Sequence, residues 1–303
     1  MGSAMLLPVS MVSRRHFLAG AGATAASLGL PLGLGAQEAS GLTPDGFQVL
    51  HARAGTIGLG APEAATPRPV WGYQGAVPGP LLRVKRGEEL RVRLINALSE
   101  PTAVHWHGVR APNLMDGTPG LTQSGVAADA HFDYRFRPPD AGTFWYHAPR
   151  SATPVRSADQ EQAVRQRLYG VLIVEESEPV TVDREHVLVF DDWPMAPEDK
   201  PERTSSDPFQ IRSFQVLANG TPAPDLLVRA NERVRLRLVN AAKTRVVSLR
   251  LERHAAQVMA RSPRTDLPAI HSWRAASFKL SVYSMSLSAT FRRRSGNPFF
   301  RNA

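Results

Sequence analysis

At 303 residues the chain is long enough for two domains with cores of their own. Its net charge is +9, and it contains no cysteine. The lack of cysteine excludes disulfides, thiolate metal sites, thiol nucleophiles and a blue-copper centre of the His₂Cys type. The charge excess sits at the two ends. Arg14 and Arg15 are the charges of residues 1–36, and residues 261–303 hold eight basic side chains against Asp266 alone. What remains, residues 37–260, is formally neutral, so no basic groove for phosphates and no nucleic-acid partner is expected.

Residues 13–20 read SRRHFLAG, an arginine pair followed by Phe17 and Leu18. Residues 21–36 are apolar but diluted by Gly and Ala, broken by Pro31 and small at the end, where a signal peptidase could cut. Residues 1–40 resemble a twin-arginine (Tat) export signal, with Met11 as an alternative start. That implies a periplasmic or extracellular protein with no membrane span in its mature form. The Tat route carries folded proteins, which suits a chain without disulfides. His16 belongs to this signal.

From about Gly41 the chain turns β-rich, with Pro and Gly turns and no long helical period. Leu90, Val92 and Leu94 alternate with charged residues, the period of a half-buried strand running toward VHWH. In extended form His105 and His107 project to one face and Trp106 to the other. Two steps of strand rise put the two histidine Cα atoms roughly 6.6 Å apart, a spacing that suits imidazoles reaching two neighbouring metal ions. HFDYRF alternates again, a Pro-Pro turn follows, and GTFWYH forms the next strand. In that strand Thr143, Trp145 and His147 share a face, while Phe144 and Tyr146 pack the opposite one. Trp106 and Trp145 are read as core residues. RLYGVLIVEE closes the first domain with a buried apolar run.

HWHG (105–108), MDGTPGLTQ (115–123) and GTFWYH (142–147) together resemble the first copper-binding region of the multicopper oxidases. This is the laccase-like family built from cupredoxin β-sandwich domains. The resemblance runs from about Trp71 to about Met259. It implies an all-β fold of tandem cupredoxin-like Greek-key sandwiches and a copper cofactor. It implies metal ligands at His105 (type 2 copper), His107 (type 3 copper) and His147. Asp116 matches an acidic residue near the type 2 copper and its water that helps deliver protons; a plain turn role before Gly117 would also explain it. The implied partners are copper ions and, for a complete site, dioxygen and a small reducing substrate that is a phenol or a metal ion.

A shift of 144 residues aligns LRVRLINA (90–97) with VRLRLVNA (234–241), Glu88 with Glu232, and Pro78 and Pro80 with Pro222 and Pro224. A period this long means a duplicated domain. The shift sets His105 against Leu249 and His107 against Leu251, so the second copy is expected to carry no copper ligands. VLVFDDW (187–193) resembles the opening of the family's second domain. The resulting expectation is a first domain over 41–176 and a truncated second domain over 177–260. A tail over 261–303, disordered or frame-shifted, would follow.

The chain departs from the family in three places. Pro149 stands where the second histidine of the family's His-x-His motif would be, and proline has no donor atom and should end the strand. The link RSATPVRSADQEQ is longer and more polar than usual. The third domain, which in the family brings four further trinuclear histidines and the type 1 copper cysteine, is not represented. His51, His131, His186, His254 and His271 are scattered and are not read as ligands. Two functions follow as expectations: part of a copper-dependent oxidoreductase with an incomplete trinuclear site, or an exported, non-catalytic cupredoxin-fold binding or structural protein.

Overall fold

The computed structural model describes residues 42–59, 66–149, 167–194, 214–222, 226–229, 231–243 and 246–252, with shorter stretches up to 292. The export-signal reading of residues 1–40 and the polar link at 150–166 lie outside the described residues. No helix among the described residues is long and apolar enough to cross a membrane.

Among the described residues the first sandwich has eight strands: β1 (Gln48–Leu59), β2 (Thr66–Tyr73), β3 (Leu82–Lys85), β4 (Leu90–Asn96), β5 (His105–His107), β6 (His131–Phe136), β7 (Gly142–His147) and β8 (Tyr169–Glu175). One sheet runs β2-β1-β4-β6 and the other β3-β8-β7-β5. The alternation in β4 does what its period predicts: Leu90, Val92 and Leu94 are buried while Arg91 stays exposed. These side chains meet Trp106 from the opposite sheet. Its indole lies edge-on to Tyr134 and Phe136 of β6, each with centroids 5.4 Å apart. This aromatic contact across the sandwich is the edge-to-face geometry that ring quadrupoles favour. Trp106 is fully buried, as its reading as a core residue requires.

The second sandwich repeats the plan. Its main sheet runs β10-β9-β11-β16-β13-β14, and β12 pairs with β15. The strands are β9 (Arg184–Pro194), β10 (Phe214–Ala218), β11 (Arg233–Asn240), β12 (Val247–Glu252), β13 (Ala256–Arg261), β14 (Ser272–Trp273), β15 (Ser277–Val282) and β16 (Ser286–Arg292). The order β10-β9-β11-β16 reproduces β2-β1-β4-β6, with the same parallel pair at its centre: Ala52 stands opposite Asn96, and Phe190 opposite Asn240. The repeated asparagine has a local cause. Asn96 Oδ1 accepts from the N–H of Leu98, and Asn240 Oδ1 accepts from that of Ala242, so each side chain turns the chain out of its strand.

In the segment after 260, read from the sequence as a disordered or frame-shifted tail, residues 277–282 and 286–292 pair as strands, and β16 lies beside β11 as β6 lies beside β4. The signal was present as a two-residue period. Phe278, Leu280 and Val282 alternate with Ser277, Lys279 and Ser281; Leu287, Ala289 and Phe291 alternate with Ser286, Ser288 and Thr290. The serines and arginines of the segment obscured that alternation.

The two sandwiches meet along β8, which explains its unbroken apolar run. Leu172 and Val174 face the first core, while Tyr169, Val171 and Ile173 face Val189, Val239 and Ala241 of the second sandwich. A strand covered on both faces has no polar side to show. Buried ion pairs frame the contact. Arg167 Nη1 donates to Asp191 Oδ1 at 2.7 Å, the Tyr169 hydroxyl donates to Asp191 Oδ2 at 2.7 Å, and the Arg167 guanidinium lies over the Trp193 ring.

Candidate metal centre

β5 and β7 are antiparallel neighbours, with His105 opposite His147 and His107 opposite Trp145. Strand alternation then places all three imidazoles on one face of the sheet, with Trp106 and Tyr146 on the buried face. One ring nitrogen from each histidine lies within 4.8 Å of the others, and all three side chains are partly exposed. Nitrogens bound to a single ion at about 2.1 Å stand at most about 4.2 Å apart, so this spread fits one ion after a small adjustment or ligands divided between adjacent ions. Among the described residues no other histidine joins the group. His51, His131 and His186 lie on β1, β6 and β9, while His254 and His271 lie outside the described residues.

The loop after β5 fixes His105. Its Nδ1 lies 3.0 Å from the carbonyl oxygen of Asp116, and since a carbonyl only accepts, Nδ1 carries the proton. Nε2 then keeps its lone pair toward the other two rings, the tautomer a metal ligand needs. The Asp116 carboxylate accepts from Thr118 Oγ1 at 2.6 Å and stands 3.5 Å from His105 Nδ1. The carbonyl can reach inward because Gly117 has φ +81°, and a Cβ there would come within 1.7 Å of the Val104 oxygen. Asp116 is therefore a turn residue and a histidine partner at once. His147 is oriented similarly, its Nδ1 lying 3.2 Å from the Ala148 carbonyl oxygen.

Under the site, Tyr134 accepts the Val104 N–H at 2.9 Å, and burial pushes its phenol up to about 12. It therefore serves as a neutral support for the strand carrying the histidines. The sequence reading missed three supports. Thr118 lies inside the MDGTPGLTQ motif, where no role is assigned to it, and donates to the Asp116 carboxylate. Thr143 accepts a hydrogen bond from Arg237 Nη1 of the second sandwich at 2.8 Å. Trp145, read as core, packs against His107 and His147 at centroid distances of 4.8 and 4.4 Å. Its position on the His147 face was the available signal.

Three imidazoles gathered on one face of a β-sandwich, with the Asp116 carboxylate beside one of them, form a donor set of the kind that suits copper, zinc, iron or nickel. Residues 58–179 match the family model for multicopper oxidases. Over this region the chain is similar to the multicopper oxidases. It is 43% identical over 121 residues to a copper resistance protein A homolog of Pseudomonas syringae pv. tomato, covering 39% of this chain and 19% of that protein. It is 36% identical over 138 residues to the multicopper oxidase MmcO of Mycobacterium tuberculosis, covering 45% and 24%. The chain thus spans well under half the length of these relatives.

Among solved structures, a multi-copper oxidase from Pseudomonas thermotolerans superposes with a TM-score of 0.64 at 34% identity, covering 82% of this chain and 58% of that one. Lac15 from a marine microbial metagenome gives 0.62 at 32% identity, covering 80% and 59%. These matches identify both sandwiches as cupredoxin-like.

Proposed function

We propose that the chain binds copper through His105, His107 and His147 and forms the first-domain part of a copper-dependent oxidoreductase. The observation that carries this reading is the convergence of three imidazole nitrogens within 4.8 Å on two paired strands. His105 and His147 would each offer Nε2, since Nδ1 is held by a carbonyl in both. Bound copper supplies one-electron redox chemistry toward a phenolic or metal-ion donor and dioxygen. Asp116 is proposed to hold His105 in the ligating tautomer through its carbonyl and to handle protons at its carboxylate, which Thr118 keeps beside that ring. The relatives named for copper resistance agree with a role in handling copper.

The test is calorimetric titration of the 303-residue chain with cupric ion. The variant carrying His105→Ala and His107→Ala is expected to lose most of the affinity; unchanged binding would discard the site. Since these residues include no cysteine, the copper-loaded chain should show no intense thiolate-to-copper colour and no phenol oxidation above free copper. A second reading, an exported cupredoxin-fold protein without catalysis, is favoured by that lack of cysteine and by Pro149. Phenol turnover by the loaded chain would eliminate it. We further propose Tat export to the periplasm or beyond, on the arginine pair at 14–15. Replacing Arg14 and Arg15 by Lys should leave the protein in the cytoplasm, and undiminished export would refute the assignment.

A further inference from the structure

We infer that Trp145 is a positioning residue through which the second sandwich holds His107 and His147 in place for the metal, an inference that rests on the copper reading above. The Trp145 ring is tilted only 34° to His107 and 31° to His147, so it offers both imidazoles its face. The rings of His107 and His147 meet His105 edge-on instead, at 84° and 70°. The loop holds His105 through Asp116; the indole lies against the other two ligands.

On its far side Trp145 packs into the cluster where the sandwiches meet, with Tyr169, Val171 and Ile173 from the first and Val189, Val239 and Ala241 from the second. Two residues earlier on the same strand face, Thr143 accepts the hydrogen bond from Arg237. Arg237 is 2% exposed and is itself held by Glu185, its Nε lying 2.7 Å from Oε2. Positions 143, 145 and 147 of β7 thus carry, in order, an anchor to the second sandwich, the indole and a metal ligand. Alternation in a strand puts all three on one face, so a shift at the contact between the sandwiches is passed to the imidazoles.

A plain core role for Trp145 makes a different prediction. The indole Nε1 is buried without a hydrogen-bond partner among the described residues, so the ring is not selected there for its N–H. A flat face is what the imidazoles use. Phenylalanine supplies such a face, whereas leucine is apolar without one. A core role would make the two variants differ in stability alone.

The experiment titrates cupric ion into the full 303-residue chain and into three variants, with the thermal midpoint of each metal-free form measured alongside. Trp145→Leu should weaken copper binding roughly 10-fold, as loss of a ligand-orienting neighbour does, while Trp145→Phe binds as the parent chain does. Thr143→Val, which removes the anchor for Arg237 and keeps the side-chain shape, should weaken binding in the same direction and answers the question if Trp145→Leu does not fold. Unchanged affinity in the folded members of the Leu and Val pair, or an equal loss with Phe and Leu, overturns the inference. Those outcomes are distinct from failure of the copper reading, which would appear as undiminished binding in the His105→Ala plus His107→Ala variant.

Discussion

The antiparallel pair β5–β7 of the first sandwich and the pair β12–β15 of the second share a backbone ladder but differ in chemistry. His105 stands opposite His147 in one, and Leu249 opposite Leu280 at the equivalent rung of the other. Two rungs on, His107 opposite Trp145 becomes Leu251 opposite Phe278. The backbone ladder survives the loss of every ligand, because pairing needs only N–H and C=O groups, while metal binding needs lone pairs at three positions. A duplicated scaffold can therefore shed its site and keep its fold.

The largest effect that would sharpen this contrast concerns the residue between the two histidines. Trp106 is fully buried across the first sandwich, and Arg250 occupies the equivalent place in the second. Trp106→Ala should destabilise the protein by about 4 kcal/mol, read from the urea unfolding midpoint. A loss below about 1 kcal/mol would mean that the core does not rest on this ring.

Next comes the tie between the sandwiches. Arg237→Ala leaves Glu185 with Arg83 at 2.8 Å and Arg235 at 3.9 Å and should cost roughly 3 kcal/mol. If the two halves unfold independently, the transition assigned to the first sandwich would stay in place, and the tie would be broken as an idea.

Acid should act on the same contact. Burial pushes the Glu185 and Glu176 carboxyls up, but the arginines facing them (Arg237 and Arg83, and Arg235 and Arg237) outweigh it, and both end below the ordinary 4.5. Depressed carboxylates lend stability that is fully present above their unfolded value and is lost as pH falls through the folded one. Asp191 has the opposite sign, since burial raises it despite Arg167, and its protonation on acidification offsets part of the loss. The thermal midpoint is thus expected to fall from about pH 5 downward, less steeply in Glu185→Gln. An identical slope in that variant would exclude Glu185 as a source.

The smallest effect is expected at the surface. Arg110 pairs with Asp140 at 2.7 Å, but its side chain is 74% exposed. Arg110→Ala should change stability by less than about 0.5 kcal/mol. A larger change would show that exposed pairs count here as buried ones do.

Much of this was legible in the residues alone. The two-residue period around β4, the 144-residue repeat and the spacing of His105, His107 and His147 are local patterns, and each carried over into the structure because alternation and strand pairing follow directly from local backbone geometry. The run at 277–292 alternates apolar with serine, threonine or lysine positions, but it resembles no segment of the family and so gave no partner strand to read. Only their place beside β11 and β12 shows what they are for.

The site divides the same way. The sequence by itself determined which three histidines share a face and the glycine that lets the loop turn back, since these depend on residue type and short spacing. Tertiary structure alone decided that the Asp116 carbonyl, more than its carboxylate, meets His105, that Trp145 faces two imidazoles, and that Arg237, 94 residues from Thr143, reaches the ligand strand. Such contacts arise from how two sheets and two domains pack, and packing joins residues whose separation along the chain carries no period to read.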